Sequence, residues 1–357
     1  MNNYRPISLL TSFSKIFEKV LQRRLLNHLT EHNILVKEQY AFRTNLKTDN
    51  STYHLTNEIL KGLNDNKMVG AIFCDLEKAF DCVNHKILLT KLKFYGITDN
   101  HYKLYKSYLI NHYQKTLLYN KNGNIITSAR SKVKQGVPQG SVLGPLLFLI
   151  YINDLPKFVN EKSVPILFAD DTSILVSHPN PVVFCNTINT VFQILSDWIQ
   201  NNLLSLNLDK THFIRFVTKN KNLTELNSKF DNKLPPIITT TKFLGLTVNC
   251  LLTWTNHIDF LTKKLSKTCY LIRNIKPYLS ISTLRMVYHS LFHSVMSFGI
   301  MFWGNSPHSP IIFKMQKRVL RILGGVGYRD SCRELLKELK ILTLSSQYIL
   351  SLLLFVT

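Results

Sequence analysis

Residues 166–176 read Ile-Leu-Phe-Ala-Asp-Asp-Thr-Ser-Ile-Leu-Val, two apolar runs flanking a bare carboxylate pair, Asp170-Asp171. Strand-length apolar segments on both sides of a short polar step predict a β-hairpin with the acids at its tip. Adjacent carboxylates repel, and holding them beside a core is costly unless a cation is present. A divalent metal is the simplest such cation. In isolation an ordinary Asp-rich turn would look the same, and it is the rest of the chain that decides. Working outward, residues 69–75 (Val-Gly-Ala-Ile-Phe-Cys-Asp) form a second compact apolar run ending in an acid. This predicts a buried strand delivering Asp75 at its end. If the two strands are neighbours, Asp75, Asp170 and Asp171 converge on one point. Carboxylates brought together by two strands are what a two-metal site for in-line phosphoryl transfer requires. Mg²⁺ suits such an all-oxygen site, with Mn²⁺ as a substitute, and the lack of His or Cys beside the acids argues against zinc.

The charge balance points the same way. Lys and Arg number 44 against 22 Asp and Glu, a net charge of +22 over 357 residues. That excess calls for a polyanionic partner, nucleic acid ahead of a membrane surface. A hydrophobic content of 45% excludes a disordered chain and is enough for one large core or two domains. The six cysteines are scattered, with no zinc-knuckle or zinc-finger spacing, which suits reduced thiols of an intracellular protein. No secretory leader is read at the start, where Asn2, Asn3 and Arg5 precede only a short apolar patch. The apolar run 348–356 is too short to span a bilayer and reads as the buried face of a final helix.

Periodicity predicts helices over 14–29 (apolar face Ile16, Phe17, Val20, Leu21, Leu25 and Leu29), 53–63, 85–94 and 142–155. An amphipathic helix carrying Ile188, Val191, Phe192, Leu195, Trp198 and Ile199 follows the acid hairpin, then a strand over 213–217 and another beginning at Phe243. Gln135 to Ser141 is a loop by its Gly and Pro content. Basic helices are expected over 257–275, 282–298 and 310–323, and a domain boundary near residue 250. The Tyr102, Tyr105, Tyr108 and Tyr113 series, interleaved with lysines, reads as helix packing or as a face for a nucleic-acid backbone.

Seven segments, in order, carry a resemblance. They are Asn3-Tyr4-Arg5-Pro6-Ile7-Ser8, residues 73–81 (FCDLEKAFD), residues 135–145 (QGVPQGSVLGP), Asn153-Asp154-Leu155-Pro156, Phe168-Ala169-Asp170-Asp171, residues 206–211 (LNLDKT) and Phe243-Leu244-Gly245. From residue 3 to about 260 the chain resembles the reverse transcriptase domain of non-LTR, LINE-type retrotransposons near the insect jockey-like group. The resemblance implies an α+β right-hand polymerase. Residues 1–250 would form the reverse transcriptase domain, with N-terminally truncated fingers to residue 68 and an antiparallel palm sheet over about 69–250. Residues 251–357 would form a helical, basic thumb-like extension.

It also implies roles. Asp75, Asp170 and Asp171 would hold two Mg²⁺ ions, and Lys210 would stand near the departing pyrophosphate as a general acid. Arg5, Phe80, Gln139 and Gly140 would bind the dNTP, the Phe80 ring excluding a 2′-hydroxyl. Arg43, Phe243, Leu244 and Gly245 would contact template and primer, although the family's Gly-Phe-Arg reads Ala41-Phe42-Arg43 here. The implied partners are an RNA template, a DNA primer and dNTPs, with no membrane, and the implied site of action is the nucleus. Without the family's residues before Tyr4 or its endonuclease domain, the chain reads as a truncated copy of a mobile element. Two alternatives stay open: an inactive remnant that only binds nucleic acid, and an RNA-dependent RNA polymerase.

Overall fold

The computed structural model describes residues 7–110, 112–120, 122–218 and 235–356. The chain divides into two compact units, Met1–Ile238 and Thr239–Thr357.

In the first unit, helices α1 (Ser12–Glu31) and α2 (Thr48–Asn64) precede strand β1 (Met68–Cys74), followed by α3 (His85–Phe94) and α4 (Asp99–Ile110). Four short strands come next: β2 (Tyr113–Gln114), β3 (Leu117–Tyr119), β4 (Ile125–Thr127) and β5 (Ser131–Lys132). The remaining elements are α5 (Gly144–Ile152), α6 (Leu155–Val159), β6 (Val164–Phe168), β7 (Asp171–His178), α7 (Pro181–Asn201) and β8 (His212–Phe216). Strands β6, β7, β1 and β8 form, in that order, one antiparallel sheet.

β1 is central and fully covered. Ile72, opposite Ile174 on one side and Phe213 on the other, faces a core shared with Leu88, Leu92, Phe148 and Ile188. The opposite face at Val69 and Ser177 is closed by α2 through Gly62. Burial on both faces explains why β1 reads as a continuous apolar run rather than an alternating one. α5 is buried at every residue but Pro145, as a helix apolar all round must be. The backbone leading into α5 is held by α1. The Glu18 carboxylate, 2% exposed, accepts the Val142 N–H at 2.7 Å and the Tyr108 hydroxyl at 2.8 Å. A carboxylate suits a helix N-terminus. Only Leu21, Leu25 and Leu29 of the expected α1 face join the core, whereas Ile16, Phe17 and Val20 are exposed.

The second unit opens with the hairpin β9 (Thr240–Phe243) and β10 (Leu246–Asn249), then α8 (Thr255–Ile275), α9 (Ile281–Val287) and a π-helical turn, Tyr288–His293. α10 (Ser294–Ser297), α11 (Ile300–Trp303), α12 (Ser309–Gly324), α13 (Arg333–Glu338) and α14 (Leu344–Val356) complete it. α8 packs on α12. The expected burial of the final apolar run does not hold. Leu344 is the only buried residue of α14, and Leu353 and Leu354 are 60% and 69% exposed. A run apolar on all sides gives no sign of which side will be covered. Among the described residues no helix is long and apolar enough to cross a membrane.

His257 makes this unit acid-sensitive. The imidazole is 1% exposed beside Trp254 and Trp303, and its Nδ1 accepts the Thr247 N–H at 3.3 Å. Burial pushes its pKa down from 6.5 to about 4. The unfolded ring takes up a proton near pH 6.5 and the folded ring only near pH 4. The contribution is therefore complete above pH 6.5 and lost as pH falls to about 4, roughly 3 kcal/mol in all. Denaturant unfolding at pH 7 and pH 4.5 should show this loss in the parent and a smaller one in His257→Gln, which keeps an acceptor but cannot titrate there. Equal losses in the two proteins would refute it.

Candidate active site

The sheet register assembles the site. The pairing of β1 with β7 ends at Cys74–Thr172, and Asp75 and Asp171 are the next residues beyond it on the two chain segments. Past the pair Phe73–His212 the register shifts: Leu76 bridges Leu206 and Asn207 stands opposite Asp75, with Lys210 in the turn between. Asp75 and Asp171 therefore sit at the same end of neighbouring strands, and Lys210 reaches Asp75 through its side chain. The Lys210 ammonium lies 3.5 Å from Asp75 Oδ2, and Asn207 Nδ2 donates to the same oxygen at 3.2 Å. The backbone fixes this arrangement, because Asn207 N–H donates to Asp75 O at 2.8 Å and Asp75 N–H to Thr211 Oγ1 at 3.4 Å. Asn207, within the segment singled out for Lys210, is a contact that residue typing alone did not assign.

β6 and β7 form the expected hairpin, closed at Phe168–Asp171 by a loop of only two residues, Ala169 and Asp170. Ala169 adopts φ +55°, a left-handed conformation that costs a non-glycine residue about 1–2 kcal/mol. Strain of this kind persists where the surroundings over-determine it. Asp170 is half-buried and Asp171 exposed. The carboxylate oxygens at these strand ends, with an ammonium already drawn to one of them, suit a hard divalent cation. Among the described residues, however, no three or more His, Cys, Asp or Glu side chains are placed to hold one ion. Asp75 is engaged with Lys210 and Asn207.

The loop over 135–141 docks along residues 80–85. Val137 N–H donates to Phe80 O and Gly136 N–H to Val83 O, both at 2.8 Å, and Gln139 Nε2 donates to Asp81 Oδ1 at 3.1 Å. Gly136 has φ +86°, and a Cβ there would lie 2.8 Å from Asp81 O, so only glycine fits. Gly140, at φ +93°, leaves its backbone exposed beside Ser8. The half-buried Phe80 ring stacks on buried Phe148, with centroids 4.6 Å apart and planes at 26°. Arg43 is turned to the chain itself, its Nη1 donating to Val36 O at 2.7 Å and Gln39 O at 3.4 Å. Phe243, Leu244 and Gly245 lie in the second unit at the β9–β10 turn rather than at the start of a strand. Leu244 and Gly245 have φ values of +45° and +87°. Arg5 lies outside the described residues.

The segment leading into the 135–141 loop carries a further basic feature. Residues 100–153 contain no Asp or Glu. Within them β2 pairs with β5 and β3 with β4, and Lys115, Tyr119, Arg130, Lys132 and Lys134 are all exposed. Alternation in these short strands was too brief to read from the sequence.

An antiparallel sheet presenting acids at the ends of adjacent strands, backed by helices and carrying a Gly-rich loop, is the palm of a right-hand polymerase. The chain belongs to the reverse transcriptase (RNA-dependent DNA polymerase) family, whose profile matches residues 1–248. Among curated proteins it is 28% identical over 97% of its length to the probable RNA-directed DNA polymerase from transposon BS of Drosophila melanogaster. It is 27% and 26% identical, over 96% of its length, to the corresponding proteins of the X-element and of mobile element jockey from the same organism. The chain spans 38–39% of the length of these relatives. The telomerase structure from Candida albicans, in complex with the TWJ fragment of telomeric RNA, shares the fold. Its TM-score is 0.52 at 13% identity, covering 93% of this chain and 59% of that one.

Proposed function

We propose that this chain is the template-copying core of a non-LTR retrotransposon RNA-directed DNA polymerase, extending a DNA primer on an RNA template with dNTPs. The observation that carries the reading is that Asp75 and Asp171 lie at the same end of neighbouring strands, with the Lys210 ammonium 3.5 Å from Asp75, in a chain of the reverse transcriptase family. Asp75, Asp170 and Asp171 would hold Mg²⁺, which when bound would lower the pKa of the primer 3′-hydroxyl and neutralise charge on the phosphates. Lys210 would give a proton to the departing pyrophosphate. Phe80, held against Phe148, would exclude a 2′-hydroxyl. Gln139 and Gly140 would contact the nascent base pair, with Arg5 on the triphosphate and Arg43 on the template strand. Phe243, Leu244 and Gly245 would seat the primer end. The second unit would serve as the thumb, and the nucleus would be the place of action.

Primer extension on an RNA template with dNTPs and Mg²⁺ tests the reading. Folded protein that binds RNA and extends nothing would overturn it. The acid-free arm should contribute to template binding. For single strands the slope of log K against log salt falls by about 0.7 per cation. Replacing Lys115, Arg130 and Lys132 together by Gln should therefore reduce the slope for single-stranded RNA by about 2. An unchanged slope would remove the arm from the binding surface.

A further inference from the structure

We propose that Gln39 is a positioning residue for the acid hairpin, its side-chain amide fixing the turn that presents Asp170. The relevance to catalysis rests on the polymerase reading above; the structural role does not. Gln39 is 2% exposed and lies along the outer edge of β6. Leu167 N–H donates to Glu38 O and Tyr40 N–H to Leu167 O, both at 2.9 Å, so the backbone on either side of Gln39 is tied to the hairpin. From there Gln39 Oε1 accepts two backbone N–H groups, Ala41 at 2.9 Å and Ala169 at 3.1 Å. Both partners are donors, so the oxygen end of the amide must face them.

Ala169 is the residue at φ +55°, and the loop it opens contains only one other residue, Asp170. The bond to Ala169 N–H thus acts on the backbone immediately before the acid. Gln39 Nε2, in contrast, is buried with no hydrogen-bond partner. A buried, unmet donor is costly, and a methionine of similar length would avoid that cost at this position. What a methionine could not do is accept the two N–H groups. The contribution of the amide is its oxygen, and the oxygen serves the turn.

Two variants separate this role from plain packing. Gln39→Met keeps length and burial but has no comparable acceptor; Gln39→Glu keeps the acceptor oxygen. Amide hydrogen exchange at Ala169, Mn²⁺ titration followed by EPR, and kcat and KM for dNTP should be measured with the thermal midpoint. In Gln39→Met, Ala169 exchange should rise roughly tenfold as its hydrogen bond is lost, and Mn²⁺ affinity should fall severalfold. Its kcat should drop by about 10–100-fold with KM for dNTP little changed, because misplacement of a reacting group costs turnover. The thermal midpoint should fall by a few degrees, because the Ala41 and Ala169 N–H groups lose their acceptor, and Gln39→Glu should keep slow Ala169 exchange. Unchanged exchange and Mn²⁺ affinity in Gln39→Met, or equally fast exchange in Gln39→Glu, would overturn the proposal. A parent that extends no primer would defeat the polymerase reading alone, since exchange and Mn²⁺ binding still decide the role of Gln39.

Discussion

Asp75→Asn, Asp170→Asn and Asp171→Asn, made singly, should each lower primer extension by about 10³-fold or more while leaving the fold and RNA binding intact. Asn keeps the shape of Asp and removes the charge that a divalent ion requires. Losing a single preorganised electrostatic contact to a transition state already costs about 10²–10³ in rate, and a metal-borne charge exceeds one such contact. Stability should scarcely change. The Asp75 and Lys210 side chains are 33% and 66% exposed, and ion pairs of that exposure are worth about 0–1 kcal/mol. Circular dichroism and RNA affinity therefore separate a loss of chemistry from a loss of structure. Extension surviving in any one variant would remove that acid from the metal site.

Phe80→Val should relax sugar discrimination, raising the ratio of kcat/KM for rNTP to that for dNTP by about 10–100-fold. The pocket would reject the extra hydroxyl by shape, and shape-based discrimination in apolar sites is typically about 1–3 kcal/mol. The ring can exclude by shape because it is braced from behind. It stacks on Phe148, itself 0% exposed, and the Phe80 carbonyl is tied to Val137 N–H. Val shortens the side chain while remaining apolar, so the half-buried position tolerates it. Steady-state incorporation opposite a single template base measures the ratio, and an unchanged ratio would assign Phe80 to packing alone.

The strands bearing Asp75 and Asp170-Asp171 were legible because buried strands write themselves as short apolar runs ended by a polar step. Helix α3 was equally plain, since its apolar spacing ends cleanly before Gly96. The grouping around Asp75 was only half legible. A sequence shows that Asp75 ends a strand, but which strands flank β1 is decided by topology, and with it the placement of Lys210 and Asn207 beside the acid. Glu18 and Gln39 escaped for a related reason. Each is a buried polar residue whose partner lies more than 100 residues away, Val142 and Ala169 respectively, and neither periodicity nor composition encodes such a bond. The exposed ends of α1 and α14 misled in the other direction, because apolar spacing states what could be buried and not what is.

The central place of β1 also sets the order in which the molecule can be made. Its two sheet neighbours, β7 and β8, begin at Asp171 and His212. On a ribosome adding about 5–20 residues per second, β1 would emerge on the order of ten seconds before the last of them. Until β7 follows, an apolar strand has both edges open to pairing with other chains, and until β8 follows it still has one. Pieces ending before Asn207 would carry Asp75 without the Asn207 and Lys210 side chains that hold its carboxylate.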